Sequence, residues 1–437
     1  MRIAYITAGA ADMICGNCLR DNRLARALIA LGHELVLVPT YTPIRTDEIN
    51  ISHERVFYGG INVYLQQKFP FFQYAPGVVG WLLDRPALLR WVSRFALKTQ
   101  PHDLGALTVS VLQGAEGRQK KELAKLTEWL KNWQPDVVHL TNSMFAGFAP
   151  AFKEALGKPV CCSLQGEDYF LSNLPEPYRA QAFEALKTMA PHVDTFLAPS
   201  RDQAESMAPY LGVPASEIPV VLPGIDVEDF SERTERNPEE FVVGYLARVA
   251  PEKGLHVLAR ALQIIGKRRG DAGPRIRLRA AGWMAPEHRP YVDSVANDPE
   301  LRSSGVDFEY LGTIDRDRKI EFLRSLDVLS VPVAYRSPKG VYVLEALACG
   351  VPFIQPRSGV FPEILAETGG GLLFEPEDPE DLARAMERLI DDPMRARQMG
   401  EAGRRAVQQK FHSRHMAEQT LAVYDEMTAK LAQTHGV

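Results

Sequence analysis

Two cations, Arg248 and Lys253, lie in the segment Phe241-Val-Val-Gly-Tyr-Leu-Ala-Arg-Val-Ala-Pro-Glu-Lys-Gly254. An arginine grips two phosphate oxygens at once, and a lysine supplies a mobile point charge. Beside a departing diphosphate the pair would stabilise the charge that develops as the bond to it breaks. Taken singly, each is better explained as a solvated loop charge, with Lys253 next to Glu252 by chance. Taken together, after an apolar run and before a glycine, they favour phosphate.

The second chemical segment runs from Ser337 to Pro356. Gly340 lets the backbone approach a ligand, residues 342–349 have helical apolar spacing, and Gly350 and Pro352 end the helix. The amides at such a helix start form an anion site. Glu345, one turn in, is either an acceptor for two hydroxyls of a sugar or ribose ring or an ordinary solvent-facing helix residue.

Weaker signals come from the first half. The loop 7–18 holds Gly16, a candidate backbone cradle for phosphate or simply a tight turn, and it lacks Gly-x-Gly-x-x-Gly. Cys15 and Cys18 have redox-pair spacing without a thioredoxin-like context. Cys161 and Cys162 are adjacent on an expected strand, so they point to opposite faces and cannot share a metal; Cys349 reads as core. Gln165, Glu167 and Asp168 follow one strand, and His139 and Asn142 end or follow another. Any of them could meet hydroxyls of a sugar or acceptor, while Asp168 could equally cap a helix and His139 could be a packed core residue.

These residues fall on an alternation of apolar runs and helical patterns, which is the sign of α/β domains with parallel sheets. Strands are expected at 2–7, 34–39, 136–141, 160–164, 195–199 and 219–222, then at 241–246, 276–280, 308–311, 328–331 and 352–355. Helices are expected at 20–31, 120–133, 201–210, 254–268, 320–326 and 379–390. Residues 226–240 are rich in charge and lack an apolar period, placing a linker there and a domain boundary at 235–236. Two doubly wound domains, 1–235 and 236–414, would bind ligands at the carboxyl ends of their strands, facing a central cleft.

A chain of 437 residues is too long for one ordinary core, and 46% hydrophobic with 24% charged residues describes a globular protein. A net charge of −5 gives no global reason to expect nucleic acid. Five cysteines do not make a disulfide framework, the first apolar run is short for a signal peptide, and no stretch reaches transmembrane length. The expected place is the cytoplasm. The aromatic region 57–97 sets Arg90 and Arg94 beside Trp91 and Phe95. It reads either as a lid over an acceptor site or as a peripheral contact through 77–98 with anionic lipid at the inner face of the membrane.

Taken together, the chain resembles retaining nucleotide-sugar glycosyltransferases of the GT-B fold, specifically glycosyltransferase family 4. The resemblance covers most of the chain and is strongest over 244–371. It includes Gly32-His33, Pro223-Gly-Ile-Asp226 and Gly312. It implies that Arg248 and Lys253 hold the donor diphosphate, Glu345 binds the ribose, and Gly340, Val341 and Tyr342 offer amides to sugar and phosphates. Gly16 would approach the donor phosphates. No metal or other cofactor is implied, and the nucleotide sugar is a co-substrate. A last helix over 415–431 would return to the first domain. Ser337 stands where the family has a sugar-binding glutamate, Gln165 where it commonly has a histidine, and Lys339 where it usually has an aromatic residue. These departures keep open a second reading, a sugar-nucleotide binding protein impaired in catalysis. A third, an epimerase or phosphorylase of similar architecture, has no matching motif.

Overall fold

The computed structural model describes residues 1–9, 16–44, 46–54, 56–57, 101–230, 237–270 and 272–435. The chain forms two compact units, one of Met1–Gly224 with Arg414–Val437 and one of Ile225–Ser413. The aromatic region beyond Phe57 with the expected membrane contact at 77–98, Cys15 and the boundary at 235–236 lie outside the described residues.

The first unit is built on five parallel strands: β1 (Arg2–Thr7), β2 (Glu34–Pro39), β3 (Val137–Leu140), β4 (Val160–Ser163) and β5 (Thr195–Leu197), in the order β2-β1-β3-β4-β5. Successive strand residues face opposite sides, so β1 sends Ala4 and Ile6 into one core and Ile3 and Tyr5 into the other. Cys161 and Cys162 divide in the same way, as adjacent strand residues must. The second core is closed by the helix Ser413–His435 through Met416, Ala417, Tyr424 and Met427. Residues 219–222 form a single bridge, Ala198 to Val220, and not a strand.

The second unit holds β6 (Glu240–Leu246), β7 (Arg275–Ala281), β8 (Asp307–Tyr310), β9 (Val328–Leu329), β10 (Phe353–Pro356) and β11 (Gly371–Phe374). All pair in parallel, in the order β11-β10-β9-β6-β7-β8. The helix Leu255–Arg269 buries Leu255, Leu258, Ala259, Leu262 and Ile265, the spacing of one helical stripe. β11 was not expected, because its Gly-Leu-Leu-Phe run is short and opens on glycine.

Residues Asp226–Phe230, read as linker, belong to the second unit, which begins at Ile225. Ile225 and Phe230 are buried, and the Ile225 amide donates to the Phe411 carbonyl at 2.8 Å. The charge of the following residues masked this anchor.

Candidate functional site

In the second unit, β6 has β7 on one side and β9 on the other. The order therefore reverses at β6, and open α/β sheets bind ligands in the crevice beyond the strand ends at such a reversal. The loop after β6 carries Arg248 and Lys253, and the loop after β9 carries Tyr335, Ser337 and Gly340. The two loops are tied together. The Ala334 amide donates to the Glu252 carbonyl at 3.0 Å. The Lys253 ammonium bonds the Tyr335 hydroxyl and lies 4.9 Å from the centre of that ring. Gly254, at φ 75°, leaves no room for a side chain, since a Cβ would sit 1.9 Å from the Pro332 carbonyl oxygen. Arg248 is 42% exposed and donates to Glu252 at 2.5 Å.

The loop after β9 ends at Gly340, φ 58°, which starts the helix Val341–Ala348 with no side-chain cap. The Val341 and Tyr342 amides thus lie at an N-terminus that carries partial positive charge. The Tyr342 hydroxyl is buried and has no hydrogen-bond partner among the described residues. Burial and Tyr335 push its pKa well up, while neighbouring Ser337 acts to lower it. Ser337 is buried, its carbonyl accepting from the Val360 amide at 2.9 Å. The Tyr245 hydroxyl on β6 is likewise buried and unpartnered among the described residues. Its pKa is raised well above the usual value by burial and by Tyr291, Tyr342 and Glu252. Arg248, Glu252 and Tyr342 thus act electrostatically on Tyr245, and Ser337 acts on Tyr342.

Glu345 is not solvent-facing. It is buried, and its Oε1 lies 3.2 Å from the Nζ of Lys319, on the helix Arg316–Arg324. Lys319 was missed in the sequence. Its signal is a lysine three and four residues before Phe322 and Leu323, on the stripe that should be apolar. Lys339 is buried as well.

In the first unit the order reverses between β1 and β3, but the candidates there are taken up by a buried polar network. Asp21, on the helix Gly16–Ala30, accepts from Tyr5 at 2.8 Å, Thr7 at 2.8 Å, Thr141, and Gln165 at 3.1 Å. Arg20 donates to the hydroxyls of Tyr5 at 3.2 Å and Ser163 at 3.1 Å. His139 is wholly buried, stacks on Tyr5 at 4.3 Å, and bonds Ser163 at 2.8 Å and Tyr424 of the C-terminal helix. It is the packed histidine of the two readings. Gln165 points inward, donating also to the Thr141 carbonyl at 2.8 Å. Glu167 braces two loops, accepting from the Ser143 amide at 2.8 Å and the Gln165 amide at 2.6 Å. Asp168 caps nothing; it accepts from Gln203 at 3.2 Å and Ser206 at 2.7 Å. Asn142 caps the turn Ser143–Phe148 through the Met144 amide. Gly16 is exposed at the helix start, and the loop before it is not described. Asp21 and Arg20 left no sequence signal, since two adjacent charges on a helix normally face water.

Burial and the Arg20 cation hold the His139 pKa well below the ordinary imidazole value. The folded state thus keeps it neutral while the unfolded chain takes up a proton near pH 6.5. Its stabilisation is complete above about pH 6.5 and is lost as pH falls toward the depressed folded value, by up to about 1.4 kcal/mol per pH unit. Urea unfolding at pH 7.5 and 5.5 should show a smaller acid-induced loss for His139→Gln than for the wild type. Equal losses would remove His139 as the source.

Cys161, Cys162 and Cys349 are buried free thiols, and Cys18 is buried as well. Among the described residues no group of three His, Cys, Asp or Glu could hold a metal ion, and no helix is long and apolar enough to cross a membrane.

Residues 226–406 match the family model Glycosyl transferases group 1, and residues 106–229 match Glycosyltransferase Family 4. The chain is 24% identical over 435 residues to a glycogen synthase of Mycobacterium tuberculosis, covering 97% of this chain and 94% of the relative. Its fold is similar to that of sucrose-phosphate synthase from Thermosynechococcus elongatus, at TM-score 0.70 and 18% identity, over 98% of this chain and 100% of that one. It is also similar to Anabaena Alr3699/HepE in complex with UDP and glucose, at TM-score 0.66 and 16% identity, over 98% and 100%.

Proposed function

The chain belongs to the GT-B glycosyltransferases of the family 4 type, and from that premise we propose that it is a retaining hexosyltransferase using a nucleotide diphosphate sugar and a hydroxyl acceptor. The observation that carries this reading is the convergence of Arg248, Lys253 and the uncapped helix start at Gly340 on the strand-order reversal at β6. Arg248 and Lys253 meet the donor diphosphate, with the Val341 and Tyr342 amides adding fixed positive ends. Glu345 accepts hydrogen bonds from the ribose hydroxyls. As the bond from the anomeric carbon to the phosphate oxygen breaks, the acceptor oxygen bonds that carbon from the same face. The acceptor's proton passes to the departing phosphate oxygen, so no side-chain nucleophile is required. The two side-chain cations supply the charge compensation at the diphosphate, and turnover is expected to persist in EDTA.

Ser337 and Gln165 favour one alternative, a sugar-nucleotide binding protein without transfer. Ser337 is short, buried and uncharged where the resemblance implies a carboxylate on the sugar. Tyr342 beside it is the group we assign to that sugar hydroxyl in its place. We place its action in the cytoplasm, at the inner face of the membrane through 77–98.

The test is a thermal-shift panel of uridine, guanosine and adenosine diphosphate sugars, followed by anomeric analysis of the product with the donor that binds. A ligand at a hundredfold excess over its dissociation constant stabilises the folded state by about 2.7 kcal/mol. Retained configuration is expected. Inversion would overturn the mechanism, and binding without transfer or slow hydrolysis to any acceptor would favour the alternative.

A further inference from the structure

We propose that Lys319 is a positioning residue that holds Glu345 ionised and oriented, and so makes the site select a ribonucleoside diphosphate over its 2′-deoxy form. The inference rests on the reading of Glu345 as the ribose contact.

Lys319 sits on the helix Arg316–Arg324 among the residues that face inward with Phe322 and Leu323. A lysine is almost never buried unless it is paired. Its Nζ lies 3.2 Å from Glu345 Oε1, and the two side chains are only 9% and 5% exposed. The pair joins two helices, since Glu345 lies on Val341–Ala348. Glu345 is set in further charge. The Cys349 thiol, one turn on, is pushed up to about 12 by burial and by the Glu345 carboxylate, with Arg324 and Arg404 acting the other way.

A carboxylate buried without a cation tends to take up a proton. It would then present one O–H donor and lose acceptor capacity. A vicinal diol brings two hydroxyl donors, and an ionised carboxylate accepts both. A 2′-deoxyribose brings one. The lysine ammonium therefore does two things at this place. It keeps the carboxylate ionised, and it fixes a long side chain that would otherwise lose rotamer freedom on binding. Selection of the diol follows from both.

The experiment titrates UDP, ADP and GDP, each against its 2′-deoxy form, into the full-length wild type, Lys319→Met, Lys319→Arg and Glu345→Gln by calorimetry. For the base that binds, the wild type should prefer the ribose form by about tenfold to a hundredfold. Lys319→Met should bind the ribose form more weakly and keep a preference below about threefold, as should Glu345→Gln. Lys319→Arg should restore much of the preference, which a merely structural role would not predict. A cooperatively folded Lys319→Met with the full wild-type preference overturns the inference while the ribose reading stands. If that variant does not fold, Lys319→Gln, which keeps part of the stem and loses the charge, is judged by the same ratio. Equal wild-type binding of ribose and deoxyribose forms, or no binding of any of them, overturns the ribose reading and the inference with it.

Discussion

Arg248→Ala is expected to lower kcat by about a hundredfold to a thousandfold, the cost of removing one donor aimed at developing charge, or about 2.7–4 kcal/mol. The folded state should hardly notice. Arg248 is 42% exposed and bonds Glu252 four residues on, and such an exposed pair contributes a few tenths of a kcal/mol. The two magnitudes differ by about an order, so activity and stability separate the explanations. If the cation acts on leaving-group charge, kcat and kcat/KM fall together with the urea midpoint unchanged. If it only holds ground-state phosphate, the donor KM rises and kcat stays. Unchanged turnover would take Arg248 out of the reaction.

Asp21→Ala should have the opposite signature. Asp21 is wholly buried and accepts from Tyr5, Thr7, Thr141 and Gln165, with the Arg20 guanidinium 3.5 Å away. Removing it leaves a buried cation uncompensated, which costs about 3–5 kcal/mol. Against a typical stability of about 5–15 kcal/mol that is a large share of what holds a domain together. Urea unfolding should show a midpoint lowered accordingly, and Arg20→Met with Asp21→Leu should recover much of the loss, because a neutral pair leaves no orphaned charge. An unfolding free energy within about 0.5 kcal/mol of wild type, the range of a surface substitution, would show that the network is dispensable. The C-terminal helix should loosen with it, since Tyr424 reaches Arg20 through His139 and Ser163.

The parallel α/β architecture was legible because buried parallel strands leave apolar runs and amphipathic helices leave stripes. The cations were legible because Arg248 and Lys253 follow one such run. Gly340 and Glu345 were legible because a glycine opens a helix with a carboxylate one turn in. Where the reading stopped, burial was the reason. Residues 226–230 looked like linker because apolar residues are few there among charges. The partners that anchor the neighbouring Ile225, Phe411 and Ser413, are far away in the chain.

The polar residues of the first unit show the same limit more sharply. Asn142, Gln165, Glu167 and Asp168 follow strands as ligand-binding residues do, with His139 near the end of one, and such positions also serve loops that must satisfy their own amides. Type and spacing are identical for both uses. Only the tertiary structure turned Gln165 and His139 inward onto Asp21, Ser163 and Tyr424, and Glu167 onto two backbone amides.

By itself, the sequence determined the fold class, the family and the place of Arg248 and Lys253 in the loop after a strand, because hydrophobic period and local motif are properties of short segments. The tertiary structure decided which polar residues are scaffold, and that Glu345 is buried against Lys319, 26 positions away in the chain. Whether a charge is paired or solvated depends on what the fold packs against it, and that partner comes from a different helix.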